Sequence, residues 1–133
     1  MKILGIEHVG IAVDELTSAT PFWELLLQDC KQYSEKVEDQ KVNTKIFDTE
    51  HGKIELLEAT TDDSPIAKFI TKKGRGIHHI CLQVENIGGA ISELVQANIL
   101  MIDQQPRIGA EGYKIAFVHP KSTGGVLVEL AEK

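Results

Sequence analysis

Two stretches of the chain alternate between apolar residues and small or polar ones, which is the pattern of a half-buried β-strand. They lie at 8–14 and 79–85 and read HVGIAVD and HICLQVE. A segment with helical spacing follows each of them, at 16–27 and 87–97. Three further extended segments follow each helix, predicted at 30–38, 42–48 and 53–59 and at 99–104, 113–119 and 125–131. The pattern predicts two successive βαβββ modules.

A short helix is predicted between the two modules. Ser64 is a suitable N-cap and Pro65 a suitable first helical residue, while Gly74 and Gly76 follow the helix. These signals divide the chain into a first module at about 3–60, a linker helix at about 62–75 and a second module at about 76–132. At 133 residues, the length predicts one domain, 1–133, with a hydrophobic core of its own.

Composition and charge exclude several classes of protein. Hydrophobic residues make up 42% of the chain and charged residues 26%, which is typical of a globular protein. The net charge of −6 argues against nucleic acid or an anionic membrane as a partner. No apolar run approaches the length that spans a bilayer, and no signal peptide is recognised, so we expect a cytoplasmic location. Cys30 and Cys81 suggest neither a disulfide framework nor a metal pair.

The repeat places one histidine and one glutamate at matching positions in each module. His8 and His79 begin the two alternating strands, and Glu55 and Glu129 lie in the last strands, within IEL and VEL. Because strand side chains alternate, these four residues are expected on the face opposite the apolar positions that a helix would cover. Taken singly, each of these residues could simply be a core histidine or an exposed carboxylate. Their repetition favours a site for a divalent ion with two imidazole and two carboxylate ligands.

Several segments resemble the vicinal oxygen chelate superfamily (glyoxalase, bleomycin resistance and dioxygenase proteins), and within it the methylmalonyl-CoA epimerases. The segments are HVGIAV from 8, KIELL from 53, DSPIAKF from 63, GIHHI from 76, PRIG from 106 and HPKSTGGVLVEL from 119. They are spread along nearly the whole chain, and the last is long and distinctive. The resemblance implies an α+β fold in which two βαβββ modules form a curved mixed eight-stranded sheet around a central metal cavity, with helices outside.

The resemblance also implies the chemistry. A divalent ion would be held by His8, Glu55, His79 and Glu129; cobalt is the metal usually described for the family, with nickel, manganese or zinc also open. The substrate would be methylmalonyl-CoA, whose (R) and (S) forms are interconverted by α-proton transfer through a metal-stabilised enolate, and a homodimer is expected. Glu129 resembles the glutamate that both contacts the metal and moves the proton.

Three points stay open at this stage. Inversion is most simply achieved with two acid/base groups, but the position that holds a second glutamate in some relatives aligns with Thr44, a poor base. Lys121 and Ser122 are candidate contacts for the substrate carboxylate, or else part of a surface turn. A lactoylglutathione lyase, an extradiol dioxygenase and a non-catalytic module that binds small molecules are the rival functions; the four-ligand set argues against the last two.

Overall fold

The computed structural model describes residues 1–133, which form eight β-strands and three α-helices. The strands pair in both parallel and antiparallel fashion. The predicted α+β class, the mixed eight-stranded sheet and the order βαβββ in each half are therefore confirmed. The elements are β1 (Ile3–Val13), α1 (Leu16–Leu26), β2 (Lys31–Val37), β3 (Val42–Asp48), β4 (Lys53–Ala59), α2 (Pro65–Lys73), β5 (Gly76–Val84), α3 (Ile87–Gln96), β6 (Arg107–Ile108), β7 (Lys114–Val118) and β8 (Val128–Glu132).

The chain divides into two compact units. We call His8–His78 the N-terminal unit, and Met1–Glu7 together with His79–Lys133 the C-terminal unit. In the N-terminal unit the hydrogen-bonded strand order is β2-β3-β4-β1. Strand β1 runs parallel to β4, whereas β3 is antiparallel to both of its neighbours. A helical crossover is what allows β1 and β4 to run in the same direction.

Two helices cover opposite faces of the N-terminal unit. Consecutive strand residues point to opposite faces, so Leu56 and Leu57 of β4 reach different helices. Leu56 packs in a cluster with Trp23 of α1, and Leu57 packs in a cluster with Ile66 of α2. Ser64 caps α2 by accepting the backbone N–H of Ile66 at 3.2 Å, as predicted. Helix α2 therefore lies on the sheet face opposite α1, and it covers only one end of that face.

The C-terminal unit has the strand order β5-β8-β7-β6, with β5 parallel to β8 and β7 antiparallel to both β8 and β6. Helix α3 buries Ile87, Ala90 and Ile91 against the sheet in a cluster that includes Leu130. This helix also has an N-cap, because the side chain of Asn86 accepts the backbone N–H of Gly89 at 2.9 Å. This helix packs more tightly than α1, in which no residue is fully buried.

The strand predicted at 99–104 is wrong. Only Met101 forms an isolated bridge, to Val118, and the edge strand is the two-residue β6 further along the chain. The side chain of Asp103 accepts the N–H of Phe117 at 2.9 Å, so a carboxylate takes a bond that a strand carbonyl would otherwise make. Pro106, just before β6, has no N–H to donate. The hydrogen bond to the Asp103 side chain thus replaces a strand bond here, and the edge strand forms later in the chain, at β6.

None of the helices is long and apolar enough to cross a membrane.

Candidate metal centre

The first histidine and glutamate of the repeat meet inside the N-terminal unit. His8 lies on β1 and Glu55 on the neighbouring parallel strand β4, and the His8 Nδ1 atom is 3.1 Å from a Glu55 carboxylate oxygen. Only 8% of the His8 side chain and 4% of the Glu55 side chain are exposed. A buried carboxylate is costly unless a cation or a hydrogen-bond donor compensates for the lost water. The contact shows that this glutamate has a specific partner.

The second histidine and glutamate meet in the same way inside the C-terminal unit. His79 lies on β5 and Glu129 on the parallel strand β8, with 3.0 Å between His79 Nε2 and a Glu129 carboxylate oxygen. Both side chains are buried, and the edge of the Phe117 ring packs against the imidazole with the ring centres 5.8 Å apart. The aromatic contact fixes the plane of the imidazole.

The two pairs are built with the same strand register. Glu55 lies beside Gly10, two residues after His8, and Glu129 lies beside Cys81, two residues after His79. In a parallel pair, side chains two residues apart on one strand share a face. The register therefore brings each histidine and glutamate together, and it confirms within each unit the juxtaposition that the repeat predicted.

The chemistry of these side chains fits a divalent cation. Each of the four side chains belongs to a buried group that could hold a metal ion. Imidazole nitrogen and carboxylate oxygen together suit borderline divalent ions such as cobalt, nickel, manganese and zinc. All four side chains are buried among strands, so their orientation is held by the fold rather than by flexible loops.

Two further buried ionic residues were not singled out from the sequence. Lys53 precedes Glu55 by two residues on β4, lies beside His8 and is only 7% exposed. Glu7 is also buried and forms an ion pair with Lys133, with 2.9 Å between nitrogen and oxygen. The position of Lys53 could have been predicted from the sequence, since strand alternation places Lys53 on the same face as Glu55.

Lys121 and Ser122 lie in a short 3₁₀ turn between β7 and β8. Lys121 is exposed, and its backbone N–H donates to the imidazole of His119 at 3.0 Å. The Ser122 hydroxyl oxygen accepts the backbone N–H of Leu100 at 2.9 Å. These bonds order the turn, and the role of both residues in binding a substrate stays a prediction.

The sequence from residue 7 to residue 117 matches the family described as the Glyoxalase/Bleomycin resistance protein/Dioxygenase superfamily. An uncharacterized protein of Bacillus subtilis, YqjC, is 42% identical over 127 residues, which cover 96% of this chain and 91% of that protein. The mitochondrial methylmalonyl-CoA epimerase of Dictyostelium discoideum is 42% identical over 130 residues, covering 96% of this chain and 78% of that protein.

A solved structure of a methylmalonyl-CoA epimerase in complex with methylmalonyl-CoA and NH4+ has a TM-score of 0.91 at 28% identity, covering 99% of this chain and 96% of that one. The chain belongs to the methylmalonyl-CoA epimerase family of the glyoxalase superfamily. These comparisons support an epimerase enzyme and thus decide against the non-catalytic binding module.

Proposed function

We propose that the chain interconverts the (R) and (S) forms of methylmalonyl-CoA by moving the proton on the α-carbon. The observation that carries the proposal is the pair of buried His–Glu contacts, one in each unit, built with the same register. The relatives that are named for this reaction, one of them solved with methylmalonyl-CoA bound, support the choice of substrate.

His8, Glu55, His79 and Glu129 are proposed to hold one divalent ion jointly, within a single domain, 1–133. When bound, the ion would act as a Lewis acid and stabilise negative charge on the thioester oxygen, which lowers the barrier to removing the α-proton. Cobalt is favoured by the family resemblance. Each unit supplies one nitrogen and one carboxylate ligand in this scheme, so neither unit alone offers the full set.

Glu129 is the proposed proton-transfer group. The α-hydrogen of a thioester is too weakly acidic for an unassisted carboxylate, so the base must be placed within hydrogen-bond reach and held there. The contact with His79 and the burial of both side chains hold the Glu129 carboxylate in one orientation. Lys121 is proposed to attract the substrate carboxylate by its charge, and Ser122 to order the turn that presents Lys121.

A homodimer in the cytoplasm is the proposed state of the protein. Helix α1 exposes Phe22, Leu25 and Leu26 by 61%, 73% and 61%, which is an apolar surface of the kind that self-association covers. Sedimentation of the protein and of its Leu25→Glu variant tests this. A dimer that the charge weakens supports the proposal, and a monomer at all concentrations contradicts it.

The proposed reaction is tested by following α-carbon deuterium in methylmalonyl-CoA in heavy water, with and without a chelator. We expect rapid deuterium incorporation together with inversion, a large loss of both after chelation, and recovery when a divalent ion is restored. Lactoylglutathione serves as the control substrate and should not react. A protein that neither exchanges nor inverts methylmalonyl-CoA when loaded with metal would contradict the proposal.

A further inference from the structure

The C-terminal unit carries an arginine on the same sheet face as the His79–Glu129 pair. On β6, Arg107 lies opposite Ile115 of β7, and Ile115 shares its face with Phe117, two residues further along that strand. Phe117 in turn lies opposite Glu129 of β8. Directly opposed residues point to the same face of a sheet. The Arg107 side chain therefore extends over the face that carries the proposed ligand pair.

Two contacts hold the guanidinium of Arg107 over this face. Its central carbon lies 5.6 Å from the centre of the Phe117 ring, and the same ring packs against the imidazole of His79, with the ring centres 5.8 Å apart. Arg107 Nε is 3.2 Å from one carboxylate oxygen of Asp103, whose other oxygen accepts the backbone N–H of Phe117 at 2.9 Å. A single aromatic ring thus separates the cation from the histidine, and the orientation of the cation is restricted before any ligand binds.

The hydrogen-bond donors of this guanidinium are unused. An arginine side chain has five N–H donors and no acceptor. The Nε atom is buried without a hydrogen-bond partner, so its contact with Asp103 is an ion pair only, and no protein group accepts a hydrogen bond from the terminal nitrogens of Arg107. Buried polar groups in proteins are nearly always hydrogen-bonded, so this exception calls for a partner. The Arg107 side chain is 40% exposed, which leaves a ligand access to it.

The other cation on this face already has partners. Lys133, just after β8, forms an ion pair with the buried carboxylate of Glu7, with 2.9 Å between nitrogen and oxygen. Its ammonium also lies over the Tyr113 ring, 5.3 Å from the ring centre. Arg107 is therefore the cation on this face that remains available to an anion beside the His79–Glu129 pair.

We propose that Arg107 binds an oxyanion of the acyl-CoA substrate, either its free carboxylate or a phosphate of the coenzyme; this inference rests on the proposed function. Carboxylates and phosphates both accept two parallel hydrogen bonds from the planar guanidinium. The contacts with Phe117 and Asp103 restrict the side chain in advance, so less entropy is lost on binding. The geometry favours the carboxylate, because that group is bonded to the reacting carbon and Arg107 lies only one ring away from His79. In this scheme the exposed Lys121 attracts the carboxylate and Arg107 holds it.

The test compares Arg107→Gln with wild type by calorimetry, on metal-loaded protein and with three ligands. Racemic methylmalonyl-CoA carries both kinds of anion, propionyl-CoA lacks the free carboxylate, and methylmalonyl-pantetheine lacks the phosphates. We expect methylmalonyl-CoA to bind about 10- to 100-fold more weakly to the variant, as for the loss of a hydrogen bond to a charged group. If the carboxylate is the partner, methylmalonyl-pantetheine should weaken by the same factor, while propionyl-CoA stays within about twofold. The opposite pattern would assign Arg107 to the phosphates.

Lys114→Gln is the matched control. Lys114 lies on β7 opposite Ile108, on the other face of the sheet, and is exposed, so this variant removes a nearby positive charge and leaves the proposed anion site intact. We expect wild-type affinity for all three ligands.

Two outcomes for Arg107→Gln overturn the inference: wild-type affinity for methylmalonyl-CoA, or an equal loss of affinity for all three ligands. The second outcome is what a merely structural role would produce, because such a role does not distinguish ligands that differ in a single anion. A wild-type protein that neither binds nor epimerises methylmalonyl-CoA would instead overturn the proposed function itself.

Discussion

The inner strands of the two units are built alike, whereas their edge strands differ. Besides the shared His–Glu register, Glu58 of β4 and Glu132 of β8 each accept the first backbone N–H of the helix that comes earlier in the same module: Leu16 at 2.7 Å and Ile87 at 2.9 Å. Each of these carboxylates lies three residues after the glutamate of its pair. An anion at a helix N-terminus satisfies a free N–H and complements the helix dipole.

The edges diverge in both length and chemistry. Strand β2 has seven residues and carries Glu35, whereas β6 has only two. At the β6 edge the guanidinium of Arg107 lies over the Phe117 ring, 5.6 Å from its centre, and is 3.2 Å from an Asp103 oxygen. The repeat thus sets the two His–Glu pairs through the inner strands, while the edge strands supply groups particular to each unit.

The largest expected effect is on kcat, and it should differ between Glu129 and Glu55. Glu129→Gln keeps an oxygen for the metal but removes the proposed base, so kcat should fall by about 10²–10⁴-fold. Glu55→Gln is the matched control, expected to stay within about tenfold of wild type because no proton transfer is lost. Steady-state kinetics of both variants check this. Equal losses would show that the two pairs have the same role.

The next largest effect is on stability, and it tests whether the hydrophobic cores of the two units are packed alike. Leu56 and Leu130 follow the glutamates directly, and they are 0% and 3% exposed. Truncation of each to Ala should lower the free energy of unfolding by about 2–5 kcal/mol through lost burial and a residual cavity. Urea denaturation measures both. A loss below about 1 kcal/mol in one variant only would show that the cores are not packed alike.

A smaller effect distinguishes the two module helices. Asn86 caps α3 with its side chain, whereas Glu15, at the same place before α1, makes no side-chain cap bond. Asn86→Ala should therefore cost about 1 kcal/mol of stability. Glu15→Ala should change stability by only a few tenths of a kcal/mol. Thermal unfolding of both proteins compares them, and an equal cost would contradict the assigned caps.

The smallest effect concerns Asp63, at the approach to α2. Hydrogen bonds from Lys41 and then Thr61 lower the pKa of Asp63 from 3.8 to about 2. Because the folded pKa is below the unfolded one, the stabilisation is present above about pH 4 and is lost as the pH falls towards 2. The difference in urea midpoint between wild type and Asp63→Asn should be small and constant from pH 7 to 5, then shrink by pH 3. A difference that grows on acidification would contradict this sign.

The sequence was sufficient to predict the repeat, the class of fold and the members of each His–Glu pair, because all three depend on alternation along strands. It was not sufficient for the C-terminal edge, where the Asp103 side chain accepts the N–H of Phe117 and Pro106 has no N–H to donate, so a strand-like stretch does not form a strand.

The central claim is that the two His–Glu pairs bind one divalent ion together. Titration of metal-free protein with Co²⁺, followed by calorimetry, tests it most directly through the number of ions bound. We expect one tight ion per chain, and loss of that ion in both His8→Ala and His79→Ala. Two ions per chain, or a full tight ion retained by either variant, would contradict it.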